Sequence, residues 1–168
     1  MGGGDEDRGD VARQLTRVET AVVHRNRHRL KSGQCDRLAM VPENTHVEPW
    51  VEQPDALAAA AVVVCHGGSG TTFGALAAGV PLVVCPLFAD QSLNGRLVEA
   101  AGAGLLVTPA DDFAGAVGAL GAADVAPLRA ATERVLRDPS YREAAGRVAR
   151  EMACVPTLDE VLDQLCRR

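Results

Sequence analysis

The 168-residue chain reads as an α/β fold, a parallel sheet flanked by helices. Two observations predict it. Continuous apolar runs at Ala61–Cys65 (AVVVC) and Val80–Cys85 (VPLVVC) have the composition of strands buried on both faces. Each is followed by a turn and a helical segment. This unit recurs after roughly 20 residues, the rhythm of parallel strands joined by right-handed crossovers.

The elements follow in order. A strand fits Thr45–Val51, stopped by Pro54, and a short helix fits Asp55–Ala60. After the strand Ala61–Cys65 comes HGGSGTT, then a helix over Thr72–Ala78 closed by Gly79. The strand Val80–Cys85 leads to a helix over Gln91–Ala101, ended by Gly102 and Gly104, and to a strand at Leu105–Val107. The remainder is helical. Asp111 or Asp112 can cap a helix to Leu120, and Pro127 opens another to Leu136. Asp138 and Pro139 read as N-cap and first position of a third, running to Cys154. Thr157 caps the last, with Leu158, Val161, Leu162 and Leu165 on one face. Residues 1–40 lack this order. A polar lead, MGGGDEDRGD, precedes a cluster of His24, Arg25, Arg27, His28 and Arg29. Val11, Leu15, Val18 and Val22 fall at helical spacing, so one amphipathic helix is an option and a solvated tail the simpler expectation. The expected division is an atypical segment, disordered or misassigned, at 1–40 and one domain at 41–168.

Composition narrows the function classes. With 47% hydrophobic and 23% charged residues, a packed core is expected rather than disorder. No apolar run is long enough to cross a bilayer, and the chain does not open with a basic stretch leading into an apolar one, so a cytoplasmic protein is expected. The net charge of −5 is uneven: residues 1–40 carry +2, 41–128 carry −8 and 129–168 carry +1. A middle segment at −8 argues against a nucleic-acid surface. An anionic ligand there must be held by local dipoles. Five cysteines without a CxxC pair read as small hydrophobes in a reducing compartment, with no metal site.

Three features carry chemistry. The first is His66-Gly67-Gly68-Ser69-Gly70-Thr71-Thr72, between a buried strand and a helix. Glycines let the backbone approach a ligand closely. A helix start offers unpaired N–H groups and a partial positive charge, and the hydroxyls of Ser69, Thr71 and Thr72 add donors. This suits a diphosphate, with His66 able to donate to a phosphate oxygen. A glycine turn serving only packing, and a His66 bonded at the strand end, are the plainer alternatives. The second feature is Asp90-Gln91, after the next buried strand. Ligands of parallel α/β sheets sit at the carboxyl ends of strands, so these two share a rim with His66. A carboxylate and an amide suit sugar hydroxyls, although Asp90 can equally cap a helix. The third is Trp50, the only Trp, with Gln53 three residues on. The ring could stack on a nucleobase and Gln53 could reach a ribose; a lone Trp in the core is the alternative.

Together the series Trp50-xx-Gln53, His66-Gly-Gly-Ser-Gly-Thr-Thr, Gly79-Val-Pro and Pro86-xxx-Asp90-Gln91 resembles the donor-binding signature of family 1 nucleotide-sugar glycosyltransferases. The likeness is to the C-terminal half of the GT-B fold, a Rossmann-like domain, in bacterial enzymes that decorate natural products. It covers about residues 41–168. The resemblance implies that Trp50 stacks on the base and Gln53 lies near base and ribose. His66 and the glycine turn Gly67–Thr71 (Gly67, Gly68, Ser69, Gly70, Thr71) hold the diphosphate, and Asp90 and Gln91 hold the sugar hydroxyls. It implies inverting, metal-independent transfer of a hexosyl group from a dTDP- or UDP-sugar to a small-molecule acceptor, with no cofactor. Many relatives that use UDP-sugars carry a Glu eight residues after the His, on the ribose 2′- and 3′-hydroxyls. Here that position is Gly74, which favours a dTDP-sugar.

The GT-B resemblance also implies an N-terminal half bearing the acceptor pocket and the general base. No catalytic residue is therefore expected in this chain. A second chain supplying that half, and a frameshifted start at residues 1–40, are both expectations. The alternatives are a non-catalytic nucleotide-sugar binding remnant or auxiliary partner, and a related nucleotide-sugar epimerase, for which the sequence offers no convincing acid/base set.

Overall fold

The computed structural model describes residues 20–24, 27–31, 44–48, 52–110, 120–156 and 158–167. Six strands form one sheet: β1 (Thr20–His24), β2 (Arg27–Lys31), β3 (Thr45–Glu48), β4 (Val62–Cys65), β5 (Leu82–Val84) and β6 (Gly104–Leu106), in the spatial order β3-β2-β1-β4-β5-β6. The described helices are α1 (Gln53–Ala58), α2 (Ser69–Ala77), α3 (Gln91–Ala100), α4 (Ala122–Arg137), α5 (Pro139–Ala153) and α6 (Leu158–Cys166).

The expected parallel unit is present. β4, β5 and β6 pair in parallel, with Val63 opposite Leu82 and Leu82 opposite Gly104, and α2 and α3 make the crossovers. The apolar runs are buried on both sides, and their residues alternate between two cores. Val63, Cys65, Leu82 and Val84 pack with Leu57, Leu76, Val98 and Ala145. Val62, Val83 and Cys85 pack with Val107, Leu128, Val135 and Tyr141. Each fully buried Val or Leu contributes roughly 1.5–3 kcal/mol.

Two expectations change. Around Val22 the chain forms a strand rather than a helix or a solvated tail: β1 and β2 pair as an antiparallel hairpin, His24 opposite Arg27. Two residues between paired ends cannot make a crossover, so β1 runs against the rest of the sheet, and it also pairs antiparallel with β4. The sheet is therefore mixed, with β1 as the single reversed strand among those described. The β-branched Thr20, Val22 and Val23 favour extended backbone over helix. The second change is in α4, which begins five residues before Pro127. Asp124 fixes that start: Oδ2 accepts from the Gly121 amide and Oδ1 from the Ala110 amide, both at 2.7 Å. By contrast α5 starts as expected, with Asp138 accepting from the Ser140 amide at 3.0 Å. The expected helix from Asp111 or Asp112 and the cap at Thr157 lie outside the described residues.

Candidate nucleotide-sugar site

The glycine turn joins β4 to α2. Helix α2 begins at Ser69, three residues earlier than expected, so Gly70 and Thr71 belong to its first turn and only Gly67 and Gly68 turn the chain. Gly67 has φ +89°, and a Cβ there would meet Val84 Cγ1 at 2.6 Å and the Gln91 carbonyl oxygen at 3.0 Å. Both the conformation and the space require glycine. A Cβ at Gly68 would lie 2.5 Å from His66 Nε2, so the imidazole folds over the turn. Gly68 is the N-cap, and no side chain among the described residues caps this helix. The amides of Ser69, Gly70 and Thr71 thus precede the first intrahelical bond, donated by the Thr72 amide to the Gly68 oxygen. Gly70 has open space beside it. The result is a helix terminus whose first amides have no partner within the helix, an arrangement that suits an anion.

Asp90 stands beside this turn. It is exposed, and the Ser69 hydroxyl donates to its Oδ2 at 3.4 Å. The loop before it is strained: Ala89 has φ +56°, a left-handed conformation costly for a residue with a Cβ. Gln91 braces that loop. Its side chain is buried at 3% exposure, and Oε1 accepts from the amides of Leu87 (2.8 Å) and Phe88 (3.1 Å). The side chain of Gln91, expected on the sugar hydroxyls, thus has its carboxamide oxygen on the protein backbone. Asn94, which the sequence reading missed, donates from Nδ2 to the Gly67 carbonyl at 2.8 Å and to Asp90 Oδ2 at 3.3 Å. Its spacing of four from Asp90, one face of a helix, was the available signal.

Gln53 opens α1 and is exposed, and its carboxamide lies against the backbone of Gly74. Gly74 is five residues beyond Ser69, about 7 Å along the helix axis. Trp50 lies outside the described residues. Beneath the turn, burial pushes the Cys65 thiol up to about 11 and the Cys85 thiol up to about 12. Thr72, 2% exposed, has a hydroxyl without a hydrogen-bond partner, the neighbouring Cys65 thiol supplying only a weak interaction. Among the described residues no cluster of three His, Cys, Asp or Glu side chains is placed to hold a metal ion, and no helix is long and apolar enough to cross a membrane.

Comparison with known proteins gives this rim a context. Residues 11–167 match the family described as erythromycin biosynthesis protein CIII-like, C-terminal domain. Elloramycin glycosyltransferase ElmGT of Streptomyces olivaceus is 35% identical over 149 residues, 88% of this chain and 35% of that protein. Among solved structures, the spinosyn rhamnosyltransferase SpnG superposes with a TM-score of 0.67 at 25% identity, covering 83% of this chain and 35% of that one. Glycosyltransferase VinC, solved in complex with dTDP, superposes at 0.64 with 26% identity, covering 80% and 31%. The chain spans about a third of the length of these relatives. The chain belongs to the EryCIII-like C-terminal domain family, the C-terminal half of GT-B natural-product glycosyltransferases.

Proposed function

We propose that this chain binds the nucleoside diphosphate sugar in a hexosyl transfer to a small-molecule acceptor. The observation that carries the reading is the His66 imidazole folded over a glycine turn that opens onto the uncapped start of α2. Such a terminus accepts the diphosphate despite the acidic middle of the chain. As the bond to the anomeric carbon breaks, negative charge grows on the departing diphosphate. The amides of Ser69, Gly70 and Thr71, with His66, meet that charge. No metal is needed for this, and displacement from the opposite face inverts the anomeric centre. The base that activates the acceptor belongs to the other half of the enzyme.

The assigned roles are these: Trp50 and Gln53 at the nucleoside, His66 and Gly67–Thr71 at the diphosphate, Asp90 at the sugar, with Gln91 shaping the loop that presents it. The donor residues all fall in 41–168, while 1–40 contributes β1 and β2 to the sheet. Gly74 leaves no carboxylate for a ribose 2′-hydroxyl, which favours dTDP over UDP. The dTDP bound to VinC supports the same preference. A cytoplasmic setting suits the free thiols of Cys65, Cys85, Cys154 and Cys166. A second reading is that this chain binds the nucleotide-sugar without catalysing transfer, as an auxiliary partner. Calorimetry with dTDP tests the core claim. His66→Ala is expected to weaken binding by about tenfold or more. Unchanged affinity would remove the diphosphate assignment, and donor hydrolysis by the chain alone would remove the second reading.

A further inference from the structure

We infer that Asn94 is a positioning residue that locks the diphosphate turn to the sugar-side carboxylate, so that the two halves of the donor are gripped in a fixed register. The inference rests on the donor-binding reading above. Asn94 sits on α3, one turn after Asp90, half-buried against the glycine turn. Its Nδ2 reaches three groups: the Gly67 carbonyl at 2.8 Å, Asp90 Oδ2 at 3.3 Å and Ser69 Oγ at 3.5 Å. Ser69 in turn donates to the same Asp90 oxygen at 3.4 Å. One amide thus spans two loops that leave different strands, β4 and β5.

The two loops also meet elsewhere. A Cβ on Gly67 would press the Gln91 carbonyl oxygen, so the turn and the start of α3 are already in close approach. Packing sets their separation, and Asn94 sets their register. Without it Asp90 keeps one hydroxyl partner, Ser69, whose side chain is exposed and free to rotate. The carboxylate then loses its fixed offset from the amides of α2. A ligand that does not reach Asp90, such as dTDP, is little affected. A ligand that must reach both, such as dTDP-glucose, is affected strongly.

Calorimetric titration of the full chain with dTDP and with dTDP-glucose separates these cases. For Asn94→Ala, the extra affinity contributed by the glucose moiety should fall by about tenfold, while dTDP affinity changes by less than about threefold. Asn94→Leu has a similar branched shape, no amide donor and no added charge, and should lose the glucose increment as well. Thermal midpoints of both variants, measured beside the titrations, separate a lost donor from a folding defect. Two results would overturn the inference: equal weakening of both ligands in both variants, or Asn94→Leu binding dTDP-glucose like the unchanged chain. If the unchanged chain binds neither ligand, the donor-binding reading falls first and this one with it.

Discussion

The carboxamide of Gln53 rests on the bare backbone of Gly74, where a Cβ would stand 2.8 Å from Oε1 and 2.9 Å from Nε2. Any side chain at 74 must push Gln53 away, and a flexible side-chain end moves at small cost. Gly74→Ala should therefore keep or raise stability, since Ala gains about 1 kcal/mol over Gly inside a helix. Nucleotide affinity should fall at the same time, because Gln53 leaves its place. Gly74→Glu should lower the preference for dTDP over UDP. Calorimetry with both nucleotides, beside a urea melt, reads the two effects separately. Unaltered affinity in Gly74→Ala would detach Gln53 from the nucleoside.

Ala89 gives a second test. Its left-handed backbone is held by the buried Gln91 carboxamide on Leu87 and Phe88. Ala89→Gly removes roughly 1 kcal/mol of strain but adds a comparable entropy to the unfolded chain, so stability should change little. Ala89→Val adds a branched Cβ to the same conformation and should destabilise by more than about 1 kcal/mol. Urea midpoints decide it. A tolerated valine would mean that the loop relaxes without cost.

The unpaired Thr72 hydroxyl is a third. Replacing a buried hydroxyl that lacks a partner by a methyl of similar shape removes a desolvation penalty. Thr72→Val is expected to stabilise the chain by about 1 kcal/mol, seen as a higher urea midpoint at unchanged slope. A loss of stability would show that the Cys65 thiol is a stronger partner than its chemistry suggests.

Asp138 supplies a pH dependence. Hydrogen bonds from the side chain and the amide of Ser140 hold its carboxyl below the usual range. A group with a depressed folded-state pKa stabilises fully above its unfolded pKa and loses that contribution as pH falls through the folded value. The stability gap between the unchanged chain and Asp138→Ala should hold from neutral pH down to about 5 and narrow below about 4. A gap that persists undiminished at pH 3 would place the origin of the cap elsewhere.

The sequence made β4, β5 and the helix between them readable because Val62, Val63, Val83 and Val84 leave little choice but burial on both faces. It made the turn at Gly67 and Gly68 readable because few residues tolerate that conformation or that proximity. β1 was not readable. Its pairing with β4 joins residues as far apart as Thr20 and Cys65, and helical spacing at Val18 and Val22 competes with it locally. The inward turn of Gln91 and the reach of Asn94 were also hidden. A side chain's direction depends on which backbone amides a distant loop leaves open, here those of Leu87 and Phe88. Helix α4 misled for a related reason: Pro127 marks a first turn, but Asp124 found two amide donors and started the helix earlier.

Arg142 lies on the far side of all this. Its guanidinium, carried on α5, donates to the carbonyls of Ala60, Ala61 and Gly79, which precede β4 and β5. The amino ends of these two strands are thereby fastened to a helix by one planar cation. Their carboxyl ends hold the turn and the Asp90 loop, with donors left over. The sheet behaves as a lever with an anchored end and a working end. Under the donor-binding proposal, an exposed position such as Asp90 can change at the working end while the anchor keeps the strands in register.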